Sequence, residues 1–478
     1  MATRRRSVLA RMIKRENTIL RLCSRNILIL VLFVSLASGQ SEWDESSRIS
    51  SNGFISNDGL ALTVSSPRMR DGSVQGISTE SEVKPDPIKV LFENNREIRA
   101  AEKAYQASLE KVKTSGVLPD PMVESSIFIE PIQTRNGPME AQLMFGQKFP
   151  LWGKLRHEKK ITVERAEIAR LNLQHKKVMA VFQMRRDWEN YLKIKNSLDI
   201  LDGYRKELET FRTIALTQYS TGTGITQHPI LKLQIEISLI ESQINSLQSS
   251  LESTVNSLRA LFGGSFSPEV FNTRRTEMPP SKPPESWLDL ASRAHPSYLR
   301  VQRERQIAIL ENELAVRKNY PDLVAGFTYT AIGDEELAMA PAPGADALGF
   351  KIGLNIPLWF GRNKARAKST KLIVMSREEN IEEVWNQIEG AVQSTKKDLD
   401  EVEKTYILYE ERLIQESEQM LSSAFAAYET GKISFLDLLD SERMVVRVRL
   451  EFETIKAQRR IAGARLLRDV GIINWDEE

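Results

Sequence analysis

Four short stretches of this chain alternate between apolar and polar residues with a period of two. In residues 348–356 the even positions are Leu348, Phe350, Ile352, Leu354 and Ile356, and the odd ones are Gly349, Lys351, Gly353 and Asn355. Residues 323–330 repeat the pattern, with Leu323, Ala325, Phe327 and Tyr329 opposite Val324, Gly326, Thr328 and Thr330. In residues 141–149, Ala141, Leu143, Phe145 and Phe149 oppose Gln142, Met144, Gly146 and Lys148; residues 122–130 are weaker, with Val123, Ile127 and Ile129 opposite Glu124, Ser126 and Glu130. Successive side chains of a strand point to opposite faces, so each stretch predicts a strand with one oily face and one wetter face. A half-buried soluble sheet and a membrane-barrel strand of about 10 residues both show this alternation.

After each pair of strands the period becomes helical. Residues 153–218 and 361–429 contain no proline. In the second, Ile381, Trp385, Ile388, Val392, Thr395, Leu399, Val402, Tyr406, Tyr409 and Leu413 step alternately by four and three, a heptad seam; Leu201, Tyr204, Leu208, Phe211 and Ala215 do the same in the first. A helix of ~65 residues is ~100 Å long. Each is followed, past a glycine-containing turn, by a second helical segment, which predicts two long coiled-coil hairpins. Ahead of the strands, residues 100–117 read as a helix stopped by Gly116 and Pro119, and residues 285–319 read as its counterpart, ended by Pro321.

The chain is one unit written twice. Phe149-Pro150-Leu151-Trp152-Gly153-Lys154 matches Ile356-Pro357-Leu358-Trp359-Phe360-Gly361-Arg362 at an offset of 207, Tyr219-Ser220-Thr221-Gly222 matches Tyr428-Glu429-Thr430-Gly431 at 209, and Leu261-Phe262-Gly263 matches Asp469-Val470-Gly471 at 208. The Pro-rich stretch 279–284 joins the halves, which gives repeats at 85–278 and 279–478. Four strands cannot close a membrane barrel, which needs at least ~8, and an open edge in lipid leaves backbone groups unpaired. Two copies would supply eight strands and three would supply twelve.

The N-terminus changes the compartment. Residues 1–25 carry eight basic side chains, residues 27–36 are an apolar run broken only by Ser35, and Ala37-Ser38-Gly39 follows, the pattern of a secretory signal peptide over 1–39. The apolar run covers ~15 Å as a helix, too short for a ~30 Å hydrocarbon core. Residues 40–84 are rich in Ser, Asn, Asp and Gly and predict a disordered leader. Without residues 1–25 the formal charge moves from +2 to about −5, which leaves no basic excess for nucleic acid. Cys23, the only cysteine, lies in the expected signal peptide, and Gln40 rather than cysteine follows the cleavage site, which argues against N-terminal lipidation.

With the strand-to-helix junctions and the tip Tyr428-Glu-Thr-Gly431-Lys-Ile-Ser-Phe-Leu-Asp437-Leu-Leu-Asp440 in view, the chain resembles the TolC-like outer-membrane efflux family over nearly all of residues 88–472. That resemblance implies a mainly α fold with a membrane β-barrel. It implies a homotrimer in which each chain lends four strands to a twelve-stranded barrel in the outer membrane of a Gram-negative cell. A helical tunnel would cross the periplasm, and a periplasmic adaptor (membrane fusion) protein and an inner-membrane pump would dock at its tip. Asp437 and Asp440 match the family's entrance aspartates, three residues apart, where three copies would gather carboxylates, raise their pKa values by mutual repulsion and attract cations. The same acids would also complement the positive N-terminus of the last helix. Thr221, Gly222, Gly224, Thr430, Gly431 and Lys432 are the tip residues expected to meet the adaptor; the first tip has no acidic pair. Gly116-Val-Leu-Pro-Asp-Pro121 and Gln147-Lys-Phe-Pro-Leu-Trp-Gly-Lys154 are similar to the heavy-metal-efflux branch, and Met122, Met139 and Met144 are soft-metal candidates as well as space fillers.

Nothing in the sequence points to catalysis or a cofactor. His157, His175, His228 and His295 are isolated from one another, and no nucleophile elbow, phosphate loop or paired Cys/His cluster occurs. The readings left open are an efflux duct for small molecules or metal ions, a channel of type I protein secretion, and a periplasmic coiled-coil scaffold without a pore.

Overall fold

The computed structural model describes residues 86–221, 226–264, 266, 268, 286–334 and 344–474. The expected signal peptide, the leader and the joint at 278/279 lie outside them. Helices α1 (Pro87–Asn94) and α2 (Arg96–Thr114) precede strands β1 (Met122–Thr134) and β2 (Gly137–Phe149), then the hairpin α3 (Lys154–Ser220) and α4 (Gln227–Leu261). The second half repeats the order with α5 (Trp287–Ala294), α6 (Pro296–Arg317), β3 (Asp322–Ile332) and β4 (Ala347–Asn355). It continues with α7 (Phe360–Leu408), a π-helical turn (Tyr409–Leu413), α8 (Ile414–Glu429) and α9 (Phe435–Val470).

The helix expected over 285–319 is two helices, as is its equivalent in the first half. Pro296 opens α6 without an N–H to donate, so the chain turns at His295. In the first half Asn95 does the same work: its side chain accepts from the Ile98 N–H at 3.0 Å and donates to the Leu261 carbonyl at 2.9 Å, tying the start of α2 to the end of α4.

The changes of offset between the halves have structural causes. The extra Phe360 begins α7 and raises the offset from 207 at the tryptophans to 208 at Gly361; the π-helical turn inserts a further residue, giving 209 at the tips. At the capping residues Thr226 and Ser434 the offset is 208 again. The inserted residue also resets the seam of the long helix. Ile388, Val392, Thr395 and Leu399 are buried on one line, and beyond the π turn the line resumes at the buried Ser417 and the half-buried Leu421, Ala424 and Tyr428, one position later than a strict heptad.

Packing repeats with the sequence. One core gathers Leu91, Met184, Trp188, Leu258 and Phe262, and a second gathers Ala291, Val392, Leu399, Leu466 and Val470. A third, formed by Leu201, Tyr204, Leu208, Leu233, Ile237 and Leu439, joins α3 and α4 to α9 near the helix tips.

The four strands form one antiparallel sheet in the order β1-β2-β3-β4, so the two halves meet at β2–β3. Val123, Phe145, Phe327 and Phe350 lie in one row across it, Leu143, Tyr329 and Leu348 in the next, and Phe149, Leu323 and Leu354 below, all on one face; Phe145 and Phe327 stack at 5.3 Å. The opposite face carries Glu124, Met144 and Thr328 in one row and Ser126, Gln142 and Thr330 in another. Gly146 faces Gly326 on that side, and a Cβ at Gly326 would stand 2.4 Å from the Phe145 carbonyl oxygen, so the close approach of β2 and β3 requires glycine there. The strands chiefly contact one another, and the apolar face is open: Ile127 is 61% and Phe350 88% exposed.

Where β2 passes into α3, Trp152 takes a left-handed conformation at φ 64°. Its indole N–H donates to the Pro321 carbonyl at 3.0 Å and its ring tilts against Tyr320 at 5.4 Å. The buried Lys154 ammonium donates to Asp322 Oδ1 at 2.6 Å and to the Tyr320 carbonyl at 2.7 Å, and Lys148 reaches the same carboxylate at 3.2 Å. This ion triad locks the first half's second strand to the second half's first. Asp322→Ala is expected to leave Lys154 buried without its counter-ion and to cost roughly 3–5 kcal/mol, read as a lowered denaturation midpoint; Asp322→Asn, which keeps an acceptor, should cost less.

Candidate functional site: the helix tips and the sheet

At the second tip, α8 ends in a Schellman motif. The Lys432 N–H bonds the Ala427 carbonyl at 2.9 Å and the Gly431 N–H bonds the Tyr428 carbonyl at 2.9 Å, with Gly431 at φ 70°. The Thr430 hydroxyl donates to the Ala426 carbonyl at 3.1 Å, and at the first tip the Thr221 hydroxyl donates to the Thr217 carbonyl at 3.0 Å. Thr221, Thr430, Gly431 and Lys432 are all exposed, and no atom lies within 4 Å of a Cβ built on Gly431. Gly222 and Gly224 lie outside the described residues. Phe435, at the start of α9, packs edge-on against Tyr428 of its own tip and Phe211 of the first hairpin, which couples the two hairpins.

The two aspartates sit in different environments. Asp437 is the N3 residue of a capping box: Oδ2 accepts from the Ser434 hydroxyl at 2.7 Å and the Ser434 N–H at 3.0 Å, while the Asp437 N–H donates to Ser434 Oγ at 3.3 Å. Those two bonds, with Lys232 adding to them, hold its carboxyl below the usual carboxylate range, so within one chain the local effect on Asp437 is opposite to the rise expected from a ring of like charges. Asp440 accepts from Arg443 Nη1 at 3.1 Å and stands 3.7 Å from Lys232. Arg443 in turn grips the buried Glu236 through two bonds of 2.7 and 3.0 Å. This network of Lys232, Asp440, Arg443 and Glu236 bridges α4 and α9 and has no local sequence signature, since its partners are about two hundred residues apart.

A second acidic contact bridges α3 and α9. Burial pushes the Glu442 carboxyl up, and Glu207 beside it adds to the effect. Elsewhere, His157 bonds the Gly153 carbonyl at 2.9 Å and Glu313 at 2.8 Å at the head of α3. Burial lowers His175, with Arg300 adding to it; burial also lowers His295 to about 4, with His175 contributing. No group of three or more His, Cys, Asp or Glu is placed to hold a metal among the described residues. The three methionines are not gathered: Met122 and Met144 are diagonal neighbours on the sheet, while Met139 lies five residues up β2 from Met144, ~16 Å along the strand. Among the described residues no helix is long and apolar enough to cross a membrane.

A four-stranded antiparallel sheet with an open apolar face, continued by two helical hairpins ~50–100 Å long from a duplicated unit, is the TolC-like outer-membrane channel fold. Among solved structures, a membrane protein from Pseudomonas aeruginosa superposes with a TM-score of 0.68 at 15% identity, over 80% of this chain and 91% of that one. The open state of the Neisseria gonorrhoeae MtrE outer membrane channel gives 0.67 at 15% identity, over 82% and 89%. The outer membrane protein VceC from Vibrio cholerae gives 0.65 at 14% identity, over 81% and 96%. No family model matches the sequence and no curated protein matches it, so the likeness is one of fold.

Two consequences are measurable. At φ 70° an L side chain costs roughly 1–2 kcal/mol, so Gly431→Ala should lower the melting temperature while Gly431→Asn lowers it less, steric crowding being absent. For Glu442, a carboxyl raised in the folded state binds more proton folded than unfolded, so folding gains as pH falls from neutrality towards the unfolded value near ~4.3. Glu442→Gln should melt higher than the parent at pH 7 and show a smaller gain between pH 7 and pH 5.

Proposed function

We propose that this chain is the outer-membrane channel subunit of a tripartite efflux system, a passive exit duct for small molecules or metal ions driven by an inner-membrane pump. The observation that carries the reading is the sheet: among the described residues its apolar face is largely exposed, and β1 and β4 each keep one edge of backbone groups without a strand beside it. Such a face favours surrounding lipid, and in lipid the edges must be paired. Four strands of 9 to 13 residues suit a membrane span, and three chains bring twelve of them, within the range of closed barrels. A soluble scaffold would leave this apolar surface exposed to water.

In this reading the barrel stands in the outer membrane and the hairpins extend into the periplasm as a tunnel. Thr221, Gly222, Gly224, Thr430, Gly431 and Lys432 meet the periplasmic adaptor at the open end. Asp437 and Asp440, on successive positions of one face of α9, contribute the carboxylates of a cation-favouring constriction. Support for Asp437 comes from its full exposure and lowered pKa, which keep it charged well below neutrality. The chain performs no chemistry on what passes; selection rests on width and charge.

Reconstituted in a planar bilayer, the protein is expected to give single-channel conductance with cation over anion preference. Asp437→Asn with Asp440→Asn, which removes charge but keeps an acceptor for Ser434, should reduce that preference and weaken block by divalent cations without lowering conductance. Absence of any conductance would reject the channel. Unchanged selectivity in the double variant would reject the aspartate constriction alone.

A further inference from the structure

The contact between the two halves of one chain is a template for the contact between chains. The sheet register fixes the correspondence. Gly146 and Gly353 are equivalent at 207 residues, and they pair with Met122 and Val324 respectively. The start of β1 therefore corresponds to the start of β3 at an offset of 202. On that register Asp120 takes the place of Asp322, Pro119 that of Pro321 and Leu118 that of Tyr320. At the other side of the joint, Trp359 takes the place of Trp152 and Arg362 that of Lys154.

Every member of this second set is exposed. Trp359 is 70% exposed where Trp152 is 53%, Leu118 at 47% is as exposed as Tyr320 at 50%, and neither Arg362 nor Asp120 has an ion-pair partner among the described residues, whereas Lys154 and Asp322 pair at 2.6 Å. In the first joint the corresponding lysine is buried against its aspartate and the indole is hydrogen-bonded. Beside the β4–α7 junction lies an unfilled cavity of about 400 Å³ whose lining includes Lys318, Trp359, Arg362 and Arg366. Glu158 and the first joint's Lys148, Lys154 and Asp322 complete the charged lining, which carries five cations against two carboxylates, and the turn before β1 at the opposite edge of the same chain carries Asp120. An oily side chain, a carboxylate and a strand edge stand at one side of the molecule, and an indole, a guanidinium and a strand edge at the other. The two sides are complementary in shape order and in charge.

We propose that the β4–α7 junction of each copy is completed by the α2–β1 turn of the next copy, in the geometry of the β2–α3 junction. Arg362 pairs with Asp120 of the next copy, and the Trp359 indole N–H donates to its Pro119 carbonyl. That oxygen already accepts from Gln147 at 2.7 Å and has a second lone pair free. The Trp359 ring covers Leu118. The strands continue in the register of β2–β3, which sets Asn355 opposite Met122, Ile352 opposite Ser125 and Phe350 opposite Ile127 of the neighbour. Phe350 and Ile127, both exposed in the single chain, then share one face. The proposal rests on the oligomeric channel reading and adds to it the residues and register of the seam.

Two variants of the full-length protein test it, each made in a Cys23→Ser background and compared with the native mass of the parent. Directly paired positions of antiparallel strands bring Cα atoms within disulfide range, about 4.5–5.5 Å, and a shift of two residues does not. Ile127→Cys with Phe350→Cys should therefore give, on oxidation, a covalent ladder that ends at trimer, whereas Ile127→Cys with Ile352→Cys should remain largely monomeric on a denaturing gel. Arg362→Glu should lower the melting temperature of the trimer, and adding Asp120→Arg should restore it. A parent that is trimeric by native mass while the shifted pair cross-links, or while the charge exchange fails to rescue, overturns this seam and leaves the channel standing. A monomeric parent overturns both.

Discussion

Backbone hydrogen bonding at the two outer edges of the sheet is the constraint on which this molecule depends. A strand pair within one chain satisfies its own N–H and C=O groups, but β1 and β4 each present one row to the surroundings. Beside them lies an apolar face that favours lipid, where an unpaired backbone group costs several kcal/mol. The demand for an oily environment and the demand for paired edges can both be met if the sheet curls and copies close it. The rest of the chain is arranged accordingly: a two-residue turn between β1 and β2, long helices leaving from one end of the sheet, and a second copy of the unit paired to the first through β2 and β3.

Duplication makes that closure economical. One joint is built inside the chain, where Lys154, Asp322, Trp152 and Pro321 hold β2–α3 to β3. In the proposed assembly a second joint of the same design forms between chains with no new architecture. The two halves also differ at particular positions. The first half carries the buried lysine and no acidic pair at its tip, and the second carries an exposed arginine, a π-helical turn and the two aspartates. The π turn shows how a one-residue insertion survives in a long helix: it is absorbed locally, and the buried seam resumes one position later, so α8 still presents its apolar line to α9.

Much of this was legible in the sequence because it is written in periods. Alternation over 141–149, 323–330 and 348–356 gave strands whose faces the register confirms, and the seam from Ile388 to Leu399 is buried as the heptad requires. Features made by distant residues were not legible. The break at Asn95 depends on the end of α4, the grip of Arg443 on Glu236 joins helices from different halves, and the left-handed Trp152 is stabilised by Pro321 and Tyr320. Asp437 carries both a motif position and a place at the positive start of the last helix, both readable in the sequence, and the geometry adds that it closes a capping box with Ser434. The reading of residues 285–319 as one helix failed at Pro296, which sits where a helix can begin but not continue.

The central claim is that the sheet closes only through copies of itself. Electron microscopy of the mature protein purified in detergent tests it most directly. The account predicts a particle with threefold symmetry, a detergent belt around a short barrel, and a helical tube of ~100 Å beneath it. A slender single-chain particle without a belt would contradict it, because the apolar face would then have to be tolerated by water and the edges by solvent alone.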